Sequence, residues 1–101
     1  MHVVSIDQFD PKSLFDLFEK TKKLEETFYS KNGALELAKK HRDKQICTLF
    51  YEPSTRTRLS FETAGYKLGF GVVSTESAGE FSSASKGETI EDTIRVLDEY
   101  K

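Results

Sequence analysis

Ser54-Thr55-Arg56-Thr57 places three hydroxyls and a guanidinium in four consecutive positions. The wider run, Phe50-Tyr51-Glu52-Pro53-Ser54-Thr55-Arg56-Thr57-Arg58-Leu59-Ser60-Phe61-Glu62, follows a short apolar stretch and leads into a helical pattern. A helix start points free backbone N–H groups outward and carries partial positive charge. Hydroxyl donors and an arginine added there make a receptor for a phosphate group. Pro53 fixes the turn and keeps Glu52 extended. Ser54 then reads as the N-cap, with Thr55, Arg56 and Thr57 in the first turn. Arg56 and Arg58 are two residues apart, so on a helix they point to roughly opposite sides. Arg56, nearer the helix start, is the expected ligand contact. Arg58 stands four before Glu62 and reads as half of a structural salt bridge. The bland alternative is an over-capped helix start with surface arginines. Three hydroxyls and an arginine straight after an apolar strand favour the anion site.

Other chemistries find less support. No G-x-x-x-x-G-K-[ST] nucleotide loop is present, and Gly69-Phe70-Gly71 lacks the third glycine of a dinucleotide fingerprint and precedes a strand. The basic cluster Lys39, Lys40, His41, Arg42 and Lys44 is interrupted by Asp43 and reads as a solvated face. His2 and His41 sit outside the motif and read as solvated. The formal net charge is −2, from 15 basic and 17 acidic residues, which argues against nucleic acid or a membrane surface as partner. The single cysteine, Cys47, lies in an apolar run and reads as a small buried hydrophobe. One cysteine allows no intrachain disulfide and fits a reducing cytoplasm. No metal-ligand pattern and no membrane-spanning stretch is evident.

The elements that must position the motif follow from periodicity and punctuation. Asp10-Pro11 starts a helix. Leu14, Leu17, Phe18, Thr21, Leu24 and Phe28 recur at helical steps and predict one buried face. Asn32-Gly33 breaks it, and a second helix is expected from Ala34 to about His41. Ile46 to Tyr51 reads as a strand covered on both faces. A helix then runs to about Leu68, with Phe61, Ala64, Gly65 and Leu68 on one face and Gly69 as its stop. Gly71 to Thr75 reads as a second strand and Ser77 to Lys86 as a loop. Thr89 and Asp92 suggest a capping box for a last helix, with Glu91 and Arg95 as a four-apart pair. The order helix, helix, strand, helix, strand, helix is an α/β pattern with a parallel crossover. The expected fold is an incomplete parallel sheet with helices on both faces, the front part of a larger domain.

The long motif resembles the carbamoyl-phosphate signature of the transcarbamoylases. Lys86-Gly87-Glu88-Thr89-Ile90-Glu91-Asp92-Thr93 resembles a second signature, that of the aspartate carbamoyltransferases. The resemblance spans essentially the whole chain. It implies that residues 1–101 form the first part of a carbamoyl-phosphate-binding domain, with the aspartate-binding domain absent. It implies that Ser54, Thr55, Arg56 and Thr57 bind carbamoyl phosphate and that Thr57 also reaches the carbonyl oxygen. Ser82 and Lys86 match a loop that enters the adjacent subunit of a homotrimer, where Lys86 contacts both substrates. Glu52 matches a position that supports domain closure.

The implied reaction joins carbamoyl phosphate and L-aspartate to give N-carbamoyl-L-aspartate and phosphate, in de novo pyrimidine biosynthesis. It needs no cofactor and no covalent nucleophile. Arg56, Thr57 and Lys86 would stabilise charge growing on the carbonyl and departing phosphate oxygens. Further groups that the family uses lie in segments that these residues do not include, so the chain alone is expected to be inactive. The alternatives are an ornithine or other amine carbamoyltransferase, and a non-catalytic phosphate-binding or assembly module that needs Arg56 but not Lys86. The weakest is a plain helix cap with no ligand.

Overall fold

A computed structural model describes residues 1–75 and 87–100. Residues 1–36 and 37–101 form two compact units. In the first, a single 3-10 turn, Ile6–Gln8, precedes α1 (Pro11–Tyr29). Asp10 caps α1 as its sequence requires. Its carboxylate accepts the Ser13 N–H at 2.7 Å, while Ser13 Oγ accepts the Asp10 N–H at 3.1 Å. The Ser13 backbone N–H, followed by the Ser13 side chain, holds the Asp10 carboxyl below the usual carboxylate range. The Ser30 hydroxyl closes the other end by donating to the Thr27 carbonyl at 2.6 Å.

The predicted face of α1 is present but not buried. Leu17 is 40% exposed and Phe18 54%. Residues 1–36 hold little besides this helix, and one helix cannot bury its own stripe. The junction lies where Asn32-Gly33 is expected to break the helix: α1 ends at Tyr29, Asn32 adopts the left-handed conformation (φ 63°), and α2 runs Gly33–His41, one residue earlier than expected.

In residues 37–101 the pattern is β1 (Gln45–Leu49), α3 (Thr55–Leu68), β2 (Gly71–Thr75) and α4 (Ile90–Glu99). The strands pair in parallel, with Gln45 opposite Gly71 and Leu49 opposite Thr75. The result is an α/β unit with a two-stranded parallel sheet flanked by helices.

Among the described residues, α3 covers one face of the sheet. Ile46 and Thr48 alternate toward α3 with Val72 and Ser74, and Thr48 is buried. Cys47 and its partner Val73 turn to the other face and are exposed, so Cys47 is not the buried hydrophobe expected from its neighbours. Strand period two sends alternate residues to opposite faces, so an apolar run does not ensure that both are covered. On the open side, the end of α4 (Leu97, Asp98, Tyr100) and Arg42 to Lys44 border a groove against Gln45 and Cys47.

Only part of the face expected from the apolar spacing of α3 turns to the sheet: Gly65 is buried and Leu68 half-buried. Phe61 is 56% exposed and Ala64 is exposed, while Arg58, Glu62 and Gly65 face inward. Gly65 makes this close approach possible. A Cβ there would lie 3.0 Å from Ile46 Cγ2 and 3.2 Å from Val72 Cγ2. At the end of α3, Gly69 takes φ 88°, and Phe70 N–H returns to the Gly65 carbonyl at 3.0 Å. Beside it, His41 stacks on Phe70 (centroids 5.0 Å apart, planes at 11°), and its Nδ1 meets the Leu68 carbonyl at 3.1 Å. His41 is therefore a packing residue rather than a solvated one.

In α4, Thr89 Oγ1 accepts the Asp92 N–H at 3.1 Å. The Asp92 carboxylate is turned to Arg95 at 3.5 Å, so Arg95 pairs three residues back instead of with Glu91.

Gly69→Ala would force a Cβ to 2.4 Å from Ala38 Cα while holding a side chain at positive φ. It is expected to lower stability by at least about 2 kcal/mol, read as a shift of the urea midpoint.

Candidate functional site

The parallel pairing brings the carboxyl ends of β1 and β2 to one edge, and the ladder continues there through Phe50 N–H to the Thr75 carbonyl at 3.3 Å. Open α/β sheets bind ligands at this edge. Tyr51 to Ser54 cross it, and α3 begins with Thr55. The first intrahelical bond runs from Arg58 N–H to the Ser54 carbonyl at 3.0 Å. The N–H groups of Thr55, Arg56 and Thr57 thus have no intrahelical acceptor.

Ser54 stands at the N-cap with extended φ (−147°), but its side chain makes no cap hydrogen bond. Its hydroxyl is thus not spent on the helix, which departs from the expected capping role. Thr55, Arg56 and Thr57 are all exposed. The four expected ligand groups are consecutive and stand at one helix start, with Ser54 half-buried and the other three exposed. Such a turn can accept an anion through backbone N–H groups, hydroxyls and one guanidinium.

Arg58 is oriented away from this role, as its spacing indicated. Its Nη1 lies 3.3 Å from Glu62 Oε1 and donates to Ser74 Oγ at 3.1 Å. Sequence reasoning missed what else Glu62 holds. Its Oε1 also accepts from Thr48 Oγ1 at 2.9 Å and from Ser74 Oγ. One carboxylate therefore ties α3 to both strands. The Ser74 and Thr48 hydroxyls, followed by the Arg58 charge, hold the Glu62 carboxyl below the usual carboxylate range against the opposing effect of burial. The missed signal was the pairing of Thr48 with Ser74, which lie opposite one another in the parallel register.

Ser82 and Lys86 lie outside the described residues. Cys47 stands on the opposite face of the sheet from α3, where partial burial raises its thiol above the ordinary value and disfavours a thiolate. Among the described residues no group of three or more His, Cys, Asp or Glu side chains could hold a metal ion.

A lowered folded-state pKa stabilises the fold above the unfolded carboxylate pKa and loses that contribution as pH falls through the folded value. Glu62→Gln is therefore expected to give a flatter decline of Tm below about pH 4.5 than the parent chain, with the Asp10 contribution still present in both. Thermal melts between about pH 3 and 7 check this, and parallel declines would contradict it.

Comparison with known proteins places this geometry in a lineage. Residues 1–101 match the family model of the aspartate/ornithine carbamoyltransferase, carbamoyl-P binding domain. The chain is 48% identical over 98 residues to aspartate carbamoyltransferase 1, chloroplastic, of Pisum sativum, covering 97% of this chain and 24% of that protein. It is equally 48% identical over 98 residues to the aspartate carbamoyltransferase catalytic subunit of Thermoplasma volcanium, covering 97% of this chain and 30% of the relative. The solved catalytic subunit of M. jannaschii aspartate transcarbamoylase superposes with a TM-score of 0.75 at 36% identity, over 98% of this chain and 31% of that one. The chain thus spans about a quarter to a third of the length of these relatives. It belongs to the aspartate/ornithine carbamoyltransferase family, in the part that forms the carbamoyl-P binding domain.

Proposed function

We propose that this chain supplies the carbamoyl-phosphate-binding part of an aspartate carbamoyltransferase, acting on carbamoyl phosphate and L-aspartate. The observation that carries this reading is the uncapped, exposed start of α3. There three N–H groups without an intrahelical acceptor, three hydroxyls and Arg56 occupy consecutive positions where the helix starts at the carboxyl edge of the sheet. Relatives described as aspartate carbamoyltransferases share nearly half of its residues, which supports aspartate over ornithine as the amine.

In this reading Ser54, Thr55, Arg56 and Thr57 hold the phosphate, and Thr57 reaches the carbamoyl oxygen. The amine of aspartate attacks the carbamoyl carbon and the C–O bond to phosphate breaks. Negative charge moves first to the carbonyl oxygen and then to the departing phosphate. Donors fixed before the reaction lower the barrier, because they need not reorganise as that charge grows. Arg56 stabilises the leaving group, and Thr57 the carbonyl oxygen. Lys86, with Ser82, is supplied by a neighbouring copy in a trimer and contacts both substrates. The two substrates held in line remove much of the entropic barrier. The groups that bind aspartate belong to the remaining length of the enzyme, so the 101 residues bind the anion without turning it over.

Isothermal titration with carbamoyl phosphate tests the site. Arg56→Ala is expected to weaken binding at least about tenfold, as loss of a charge-assisted hydrogen bond of about 1.5–3 kcal/mol requires. Unchanged binding in that variant would remove Arg56 from the site. The purified chain is expected to form no carbamoyl-aspartate above a blank, and measurable turnover would overturn that part of the reading.

A further inference from the structure

We infer that Glu62 is the positioning residue of the anion-binding turn, acting through the hydroxyls of Thr48 and Ser74. This rests on the anion-site reading above and extends it to residues outside the Ser54 to Thr57 run. Glu62 sits two helical turns after Thr55, on the side of α3 that faces the sheet. Its Oε1 gathers donors from every element packed against it: Thr48 from β1, Ser74 from β2 and Arg58 from its own helix. Thr48 and Ser74 are cross-strand partners in register, so the carboxylate bridges the two strands at a single level. Thr48 is 6% exposed, which leaves its hydroxyl little access to water and makes Glu62 its partner in practice.

The apolar packing of α3 against the sheet is otherwise thin. Gly65 is its one buried residue, and Phe61 and Ala64 are turned outward. Gly65 permits close approach but cannot set the rotation of the helix about its axis or its slide along the strands. Directional hydrogen bonds to two strands can set both. Rotation of α3 would swing the Thr55, Arg56 and Thr57 N–H groups away from the strand edge, and an anion site depends on their convergence. The same carboxylate holds the Arg58 guanidinium against Ser74, so that Arg56 supplies the positive charge at the turn.

Positioning and charge balance make opposite predictions, which separates them. If Glu62 served only to neutralise Arg58, its removal would leave an added cation near the turn and tighten anion binding. If it positions the turn, removal weakens binding. Thr48→Val and Ser74→Ala change no charge and isolate the positioning contribution.

The test is titration of the 101-residue chain and its variants with sulfate at pH 7, an anion that does not titrate in this range. Far-UV circular dichroism and a thermal melt of each variant establish that it is folded at the assay temperature. The double variant Thr48→Val/Ser74→Ala and the single variant Glu62→Gln are each expected to bind sulfate roughly three- to tenfold more weakly than the parent. The amide resonances of Thr55 to Thr57 should shift in the unliganded variants, while those of α4 stay in place. Asp92→Asn, which removes only the exposed pair with Arg95, should bind as the parent does.

Parent-like affinity in folded Thr48→Val/Ser74→Ala, or tighter binding in Glu62→Gln, would overturn the inference. If Glu62→Gln does not fold, either single hydroxyl variant carries the test. Failure of the parent to bind, or an unaffected Arg56→Ala, would instead overturn the anion site itself.

Discussion

Two parallel strands joined by a helix send both carboxyl ends to one edge, and the joining helix must start from that edge. Its first three N–H groups then have no partner within the helix and project where the strands stop. In this chain β1 ends at Leu49, α3 begins at Thr55, and β2 ends opposite β1 at Thr75. In the proposed reading, the anion-binding capacity of the site is first a property of backbone topology. The side chains of Ser54 to Thr57 sharpen it, since an uncapped serine, two threonines and an arginine add donors where the backbone already provides them. A capping hydrogen bond from Ser54 would have satisfied one of those N–H groups internally and reduced the site.

Such a turn is useful only if it is held still. The apolar contact beneath α3 is small, and the Glu62 carboxylate with Thr48, Ser74 and Arg58 supplies directional links to both strands. A half-buried carboxylate stays ionised there because hydroxyl donors and a guanidinium surround it, which keeps its pKa low in spite of burial. Two adjacent features thus lie on one helix: positions 54–57 stand at its start by the strand edge, and positions 58 and 62 face the sheet.

What could be read from the sequence was local. The Asp10 cap, the start and stop of α3 and the Arg58–Glu62 pair all follow from interactions within five residues along the chain. What could not be read depended on which strand lies beside which, and on what covers each face. The convergence of Thr48 and Ser74 on Glu62 requires the parallel register. The exposure of Cys47 follows from strand alternation, which turns it away from α3. The apolar stripe of α1 was correctly located, but periodicity reports a face that seeks a partner, not the partner itself. Arg95 had two acidic neighbours within helical reach, and periodicity alone did not choose between Glu91 and Asp92.

The most direct measurement of the central claim is a two-dimensional ¹⁵N–¹H titration of the chain with inorganic phosphate, followed residue by residue. The account predicts saturable shifts that are largest at the amides of Thr55, Arg56 and Thr57 and that weaken as salt is raised. Shifts centred instead on the basic stretch Lys39 to Lys44, or no saturable shift at the start of α3, would contradict it.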